Sequence, residues 1–176
     1  MNKETEHTVV HEGKYIRFLK VGEWEYVERH NCTGIVIILA LTRENKIILS
    51  DQFRIPVGKR VIEFPAGLVN DLNGKRTESF LNAAKRELFE ETGYRAKRMV
   101  KVVEGPVASG STSDCVTFVR AFGLSKKGKG GGVEDESIIT HEVPLLTVDG
   151  WLKQMGRKGF LVDPKVYAGL YFLNGT

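Results

Sequence analysis

The amino-acid sequence predicts an α/β protein in which a mixed sheet lies between helices. Three observations lead there. A chain of 176 residues with 41% hydrophobic content has the size and composition of one globular domain with at most a small extension. Apolar runs of strand length occur before, between and after segments of helical periodicity. Neither an internal repeat nor an interdomain linker interrupts that succession.

In chain order, "KYIRFLKVG" (14–22) and "EWEYVERH" (23–30) read as an antiparallel hairpin ahead of the main body. The run "TGIVIILALT" (33–42), the polar turn "RENK" and "IILSDQFR" (47–54) predict two adjacent antiparallel strands. A third strand, "RVIEFPAG" (60–67), is expected to end at Pro-Ala-Gly. A charged helix follows, from about Thr77 as N-cap to Thr92, with Gly93 placed to end it in a left-handed turn. Beyond it, "AKRMVKVVEG", "DCVTFVRAFG" and "IITHEVPL" predict strands, and amphipathic helices near "TVDGWLKQMG" and "DPKVYAGLYFLNG" close the chain.

Within the charged helix, "KRELFEETGY" (85–94) holds three glutamates, Glu87, Glu90 and Glu91. At about 3.6 residues per turn, Phe80, Ala84, Glu87, Leu88 and Glu91 fall on one strip, so two carboxylates share the face of the apolar side chains. Two readings fit. One is a solvated, Glu-rich helix end, to which composition alone leans. The other is an oxygen-rich site for Mg2+ or Mn2+, because partly desolvated like charges raise each other's pKa unless a cation lies between them.

Other classes find less support. Four scattered histidines form no zinc pattern, and Cys32 and Cys115 have neither metal-ligand nor redox spacing. The N-terminal stretch lacks the apolar core of a signal peptide and no run approaches the length of a membrane-spanning helix, so a cytoplasmic, reducing compartment is expected. The net charge of +4 is spread along the chain except in "SKKGKGGG", without interleaved aromatics. That distribution suits an anionic small molecule at least as well as nucleic acid.

The helix also carries a signature. Glu78 is followed by seven residues and then "RELFEETG", Arg86 through Gly93. This block resembles the Nudix hydrolase box, in which Gly, five residues, Glu and seven residues precede Arg-Glu-aliphatic-x-Glu-Glu-x-Gly and usually an aliphatic residue. Two departures stand: Tyr94 takes the aliphatic place, and ten residues rather than five separate Gly67 from Glu78. The added residues lie in the polar "LVNDLNGKRT", where lengthening costs little entropy.

The resemblance implies an α/β/α sandwich with a mixed central sheet and an N-terminal antiparallel hairpin extension, residues 1–31 forming the extension and 32–176 the hydrolase domain. It implies that Glu87 and Glu91 bind Mg2+ or Mn2+, with Glu90 as a ligand or close partner, the Ala66 carbonyl completing the site, and Arg86 pairing with Glu78 to hold the glutamates. Further segments, "EWEYVER", "DQFRIPVGKRVIEFPAG", "VEDES" and "DPKVYAGLYFL", resemble the ADP-ribose pyrophosphatase branch, which cleaves nucleoside diphosphate sugars. By that analogy Arg54 and Glu63 contact the substrate's diphosphate and sugar or base, and Trp24 stacks on the base. From the residues alone, Arg54 reads equally as a strand-end surface charge and Trp24 as a packing residue.

In related enzymes the base that takes the water's proton often comes from a glutamate beyond the box. "SKKGKGGGVEDES" is expected to be a mobile, Gly-rich segment carrying Glu134 and Glu136 to the site, with Glu134 preferred as the base. The branch also implies a homodimer in which the N-terminal hairpin completes the partner's site. Two other functions fit the same box: another Nudix pyrophosphohydrolase, acting on nucleoside triphosphates or RNA caps, and a non-catalytic nucleotide-sensing module.

Overall fold

A computed structural model describes residues 6–70, 78–132 and 137–174. The chain opens with β1 (Thr8–Glu12), β2 (Ile16–Val21) and β3 (Trp24–Arg29), which form an antiparallel sheet in the order β1-β2-β3. The expected hairpin is β2-β3, and β1 adds a third strand to it. Leu19 is buried, whereas Val9, Val10, Tyr15, Ile16 and Trp24 are exposed.

The apolar run that follows forms β4 (Gly34–Ala40), and β5 (Lys46–Arg54) comes next. These were expected to pair; instead a single bridge joins Leu41 to Ile47 and the two strands enter different sheets. The reason lies in β4, which is apolar on both faces and therefore suits the interior of a sheet covered on both sides. It pairs in parallel with β10 (Cys115–Phe122), with Ile35 opposite Val116.

"RVIEFPAG" likewise divides. β6 (Lys59–Glu63) pairs with β5, the chain crosses over at Phe64 and Pro65, and β7 (Ala66–Val69) pairs with β4. Then come α1 (Phe80–Thr92), β8 (Tyr94–Arg95), β9 (Arg98–Pro106), β10, β11 (Ser125–Lys126), β12 (Ile139–Pro144), α2 (Val148–Arg157), β13 (Leu161–Val162) and α3 (Pro164–Asn174). The central layer thus consists of two four-stranded mixed sheets, β7-β4-β10-β9 and β12-β5-β6-β13, each with one parallel pair.

Alternation along the strands builds the sandwich. Val36, Ile38, Ala40 and Ile48 pack with Ala83, Ala84 and Leu88 of α1. Ile37, Leu39, Ile47 and Leu49 point the other way, into a core with Leu152 and Met155 of α2 and Val166, Leu170 and Leu173 of α3. Among the described residues no helix is long and apolar enough to cross a membrane.

Candidate active site

The sequence placed the start of α1 at about Thr77, which lies outside the described residues; the helix begins at Phe80. Ser79 is its N-cap, its side chain accepting from the Asn82 amide, and Gly93 ends it in the left-handed conformation. The buried face contains Ala83, Ala84, Glu87, Leu88 and Glu91, the strip anticipated from periodicity, although Phe80 at its start is only partly buried. Two carboxylates therefore do lie in the interior: Glu87 is 9% exposed and Glu91 5%.

Arg86 makes this tolerable. Its Nε and Nη2 donate to the two carboxylate oxygens of Glu78, at 3.1 and 3.2 Å. Nη1 donates to Glu87 Oε1 at 2.7 Å and to Glu90 Oε2 at 3.1 Å, and Nη2 also reaches the Leu68 carbonyl at 3.1 Å. Burial disfavours the Arg86 charge, but the hydrogen bonds with Glu78 and the charges of Glu87 and Glu78 outweigh it and hold the guanidinium above its ordinary range. One planar fork thus ties the helix to β7 and orients three carboxylates.

The space for Glu87 is provided by Gly67 of β7. A Cβ there would fall 2.0 Å from Glu87 Cδ and 2.1 Å from its Oε1, so the carboxylate lies directly on the strand backbone. Among the described residues no three His, Cys, Asp or Glu side chains converge as a metal cage. Glu87 and Glu90 instead turn toward Arg86. The donor set of Glu87, Glu90, Glu91 and nearby carbonyls is all oxygen, which fits a hard divalent cation such as Mg2+ or Mn2+.

The longer insertion between Gly67 and Glu78 leaves this geometry undisturbed because its base is closed. The Glu78 amide donates to Asn70 Oδ1 at 2.6 Å, and the Asn70 amide reaches Glu78 Oε2 at 3.4 Å. Asn70, at φ 62, is further fixed by its Nδ2 donating to Thr33 Oγ1 at 2.7 Å. Asn70 was not anticipated as part of the site, and the turn-prone pair it forms with Asp71 was the available signal.

Glu134 and Glu136 lie outside the described residues, but the segments flanking them are informative. The glycine-rich stretch was expected to be a mobile tether; its described part is a backbone cap on the end of α1. Gly131 donates to the Glu91 carbonyl at 2.7 Å and Gly132 to the Glu90 carbonyl at 3.1 Å. Gly130, at φ 70, approaches so closely that a Cβ would meet the Glu91 carbonyl oxygen at 2.5 Å. On the far side, the Ile138 amide reaches the Gly131 carbonyl at 3.3 Å, and Arg60 Nη2 donates to the Ser137 carbonyl at 3.2 Å. Gly131 and Gly132 therefore lie on the C-terminal turn of the glutamate helix, and Ile138 is held beside them.

Arg54 and Glu63 come together on β5 and β6, with Nε and Nη2 each 2.8 Å from Glu63 Oε2. Burial pushes the Glu63 carboxyl above its ordinary value, against the pull of Arg54. Ala66 begins β7, beside Gly67. Trp24 stands at the start of β3 and is 61% exposed, so it is not a core residue of this chain.

Comparison with known proteins accords with this arrangement. A NUDIX domain model matches residues 32–155. A methanol dehydrogenase activator from Bacillus methanolicus is 31% identical over 140 residues, covering 80% of this chain and 71% of its own. The ADP-sugar pyrophosphatase of Mus musculus is 32% identical, covering 93% of this chain and 84% of its own. The ADP-ribose pyrophosphatase of Bacillus subtilis is 34% identical over 68% of this chain and 61% of its own. Among solved structures, an ADP compounds hydrolase superposes with a TM-score of 0.63 over 87% of this chain and 95% of its own; at 20% identity this likeness shows the fold.

Proposed function

The chain belongs to the NUDIX domain family, and from that membership we propose that it is a Mg2+-dependent hydrolase of ADP-ribose or a related nucleoside diphosphate sugar. The products are a nucleoside monophosphate and a sugar phosphate. The observation that carries the proposal is the pair of buried carboxylates, Glu87 and Glu91, on a helix whose Arg86 fork compensates the glutamate cluster. The choice of substrate draws on the relatives described as ADP-ribose and ADP-sugar pyrophosphatases.

Glu87, Glu91, Glu90 and the Ala66 carbonyl would hold Mg2+ or Mn2+, which when bound neutralises diphosphate oxygens and lowers the pKa of water. Arg86 and Glu78 keep those carboxylates in place without touching substrate. Arg54 contributes positive charge to the diphosphate, and Glu63 accepts hydrogen bonds from sugar or base. Glu134 takes the proton of the attacking water, with Glu136 as the alternative; the bond from phosphorus to the bridging oxygen then breaks.

Residues 1–31 act as an extension and 32–176 as the hydrolase domain. Exposed Val9, Val10, Ile16 and Trp24 on the N-terminal sheet support a homodimer in which Trp24 stacks on a nucleobase. The absence of redox or metal-ligand spacing between Cys32 and Cys115 supports a reducing, cytoplasmic compartment.

The test is product analysis over nucleotide sugars, dinucleotides, nucleoside triphosphates and capped RNA, with and without Mg2+. Mg2+-dependent release of AMP from ADP-ribose is expected. Turnover restricted to triphosphates or capped RNA would assign another hydrolase activity, and binding without turnover would make the chain a nucleotide-sensing module.

A further inference from the structure

The one concentration of positive charge in the sequence, "SKKGKGGG" (125–132), takes a place in the fold that the hydrolase chemistry does not use. Ser125 and Lys126 form β11 and pair with Arg95 and Tyr94 of β8, directly after the end of α1. The Lys127 and Gly128 amides then both donate to the Gly93 carbonyl, at 2.8 and 3.0 Å. This lays Gly128 against the ring of Phe89, where a Cβ would meet Cε2 at 3.2 Å. Lys127 and Lys129, on either side of Gly128, are exposed.

Phe89 belongs to the outer face of α1. It stands two residues from both Glu87 and Glu91, about 200° round the helix, and Lys85 lies one turn before it on the same face. The Arg95 guanidinium sits over the Phe89 ring, with Cζ 4.4 Å from the centroid. Lys85, Arg86, Phe89, Arg95 and Ala96 line a cavity of about 250 Å³, so its charged walls are all cationic.

The cations of this wall differ in what they can offer. Arg86 directs its N–H donors to Glu78, Glu87, Glu90 and the Leu68 carbonyl, so it contributes charge to the cavity but no hydrogen bond. Those three carboxylates do not line the cavity. Lys85 and Arg95 are exposed and, among the described residues, pair with no carboxylate. The negative end of the helix dipole accounts for cations at 127 and 129, but not for Lys85, about two turns earlier.

We propose that this outer face of α1 is a second binding site, for an oligophosphate, back to back with the carboxylate face across the helix. Lys85 and Arg95 donate charge-assisted hydrogen bonds to phosphate oxygens, and Lys127 and Lys129 add positive potential beside them. The cavity is smaller than the roughly 300–1,000 Å³ of pockets for drug-sized ligands. Phe89 carries Arg95 on its ring and so holds the guanidinium rather than stacking a base. Both features select the phosphates of a ligand over a nucleoside, a chemistry shared by a free inorganic chain and the tail of a nucleotide.

The test is calorimetry with inorganic tripolyphosphate on the folded full chain, at low ionic strength and without divalent metal, so that it reads this site whether or not ADP-ribose is hydrolysed. One tripolyphosphate should bind per chain, and the amide signals of Phe89, Arg95 and Gly128 should shift on binding. Lys85→Ala and Arg95→Ala should each weaken binding about tenfold, while Arg54→Ala leaves it unchanged. Uridine triphosphate is titrated in parallel. Weaker binding than tripolyphosphate assigns the site to a free chain, and equal binding extends it to a nucleotide's tail; binding tighter by about tenfold or more requires nucleoside contacts and overturns the proposal. It is equally overturned if the wild type binds no tripolyphosphate, if it binds single-stranded RNA alone, or if Arg54→Ala abolishes binding that Lys85→Ala and Arg95→Ala retain.

Discussion

Replacing Arg86 with alanine removes the cation that joins Glu78, Glu87, Glu90 and the Leu68 carbonyl. The side chain of Arg86 is 18% exposed, and those of Glu87, Glu78 and Glu90 are 12%, 21% and 29% exposed. Fully exposed ion pairs contribute roughly 0–1 kcal/mol, whereas removing one partner of a buried pair costs about 3–5 kcal/mol because a charge is left uncompensated. Glu78 and Glu90 keep enough contact with water to recover part of their solvation. Glu87, pressed onto the Gly67 backbone, does not. The expected loss is therefore about 3 kcal/mol, the lower end of the buried range. Urea unfolding with a slope of about 2 kcal/mol per molar would show the midpoint falling by roughly 1.5 M. Arg86→Lys should recover only part of this, since a single ammonium cannot reproduce a fork that reaches three carboxylates and a carbonyl. A loss below about 1 kcal/mol in the alanine variant, or complete rescue by lysine, would refute the reasoning.

Three further outcomes are expected. Gly67→Ala should displace the Glu87 carboxylate, costing about 1–3 kcal/mol of stability and lowering turnover by ~10²-fold through misplacement; unchanged turnover at the wild-type Mg2+ requirement would show that Glu87 need not lie on β7. By carbon-detected NMR, Glu63 should titrate above the ordinary glutamate value of about 4.3. Because its folded pKa is raised, the folded state binds the proton more tightly, so this group's contribution to stability is present at low pH and is lost as pH rises through the folded midpoint; a midpoint at or below the ordinary value contradicts the burial argument. Glu134→Gln should lower kcat by roughly 10²–10⁴-fold with KM nearly unchanged, and a loss confined to Glu136→Gln would reverse the assignment.

What could be read from the sequence follows a physical division between local and non-local information. The buried strip of α1, with Glu87 and Glu91 beside Leu88, is written in 3.6-residue periodicity, and the box from Glu78 to Gly93 is contiguous, so both were legible. Partnership between strands is not written in periodicity. The run 33–42 and the strand 47–54 are adjacent in sequence, and a short polar turn separates them, yet β4 takes β7 and β10 as neighbours because both of its faces need covering. The same limit hides the Asn70–Glu78 clasp, which depends on where the chain returns after the insertion. It hides the cap formed by Gly130, Gly131 and Gly132 too: glycine reads as flexibility until a second backbone is seen to pass within contact of it.

The most direct test of the account is turnover of ADP-ribose by the wild type, Glu87→Gln and Glu91→Gln over a Mg2+ titration, with folding monitored by circular dichroism. Exchanging a carboxylate for an isosteric amide removes a hard, anionic oxygen ligand while nearly preserving volume. The account predicts Mg2+-dependent release of AMP by the wild type, and in each folded variant a loss of turnover by orders of magnitude. Near-normal turnover in both folded variants would return Glu87 and Glu91 to the role of tolerated structural charges and contradict the assignment of the metal site.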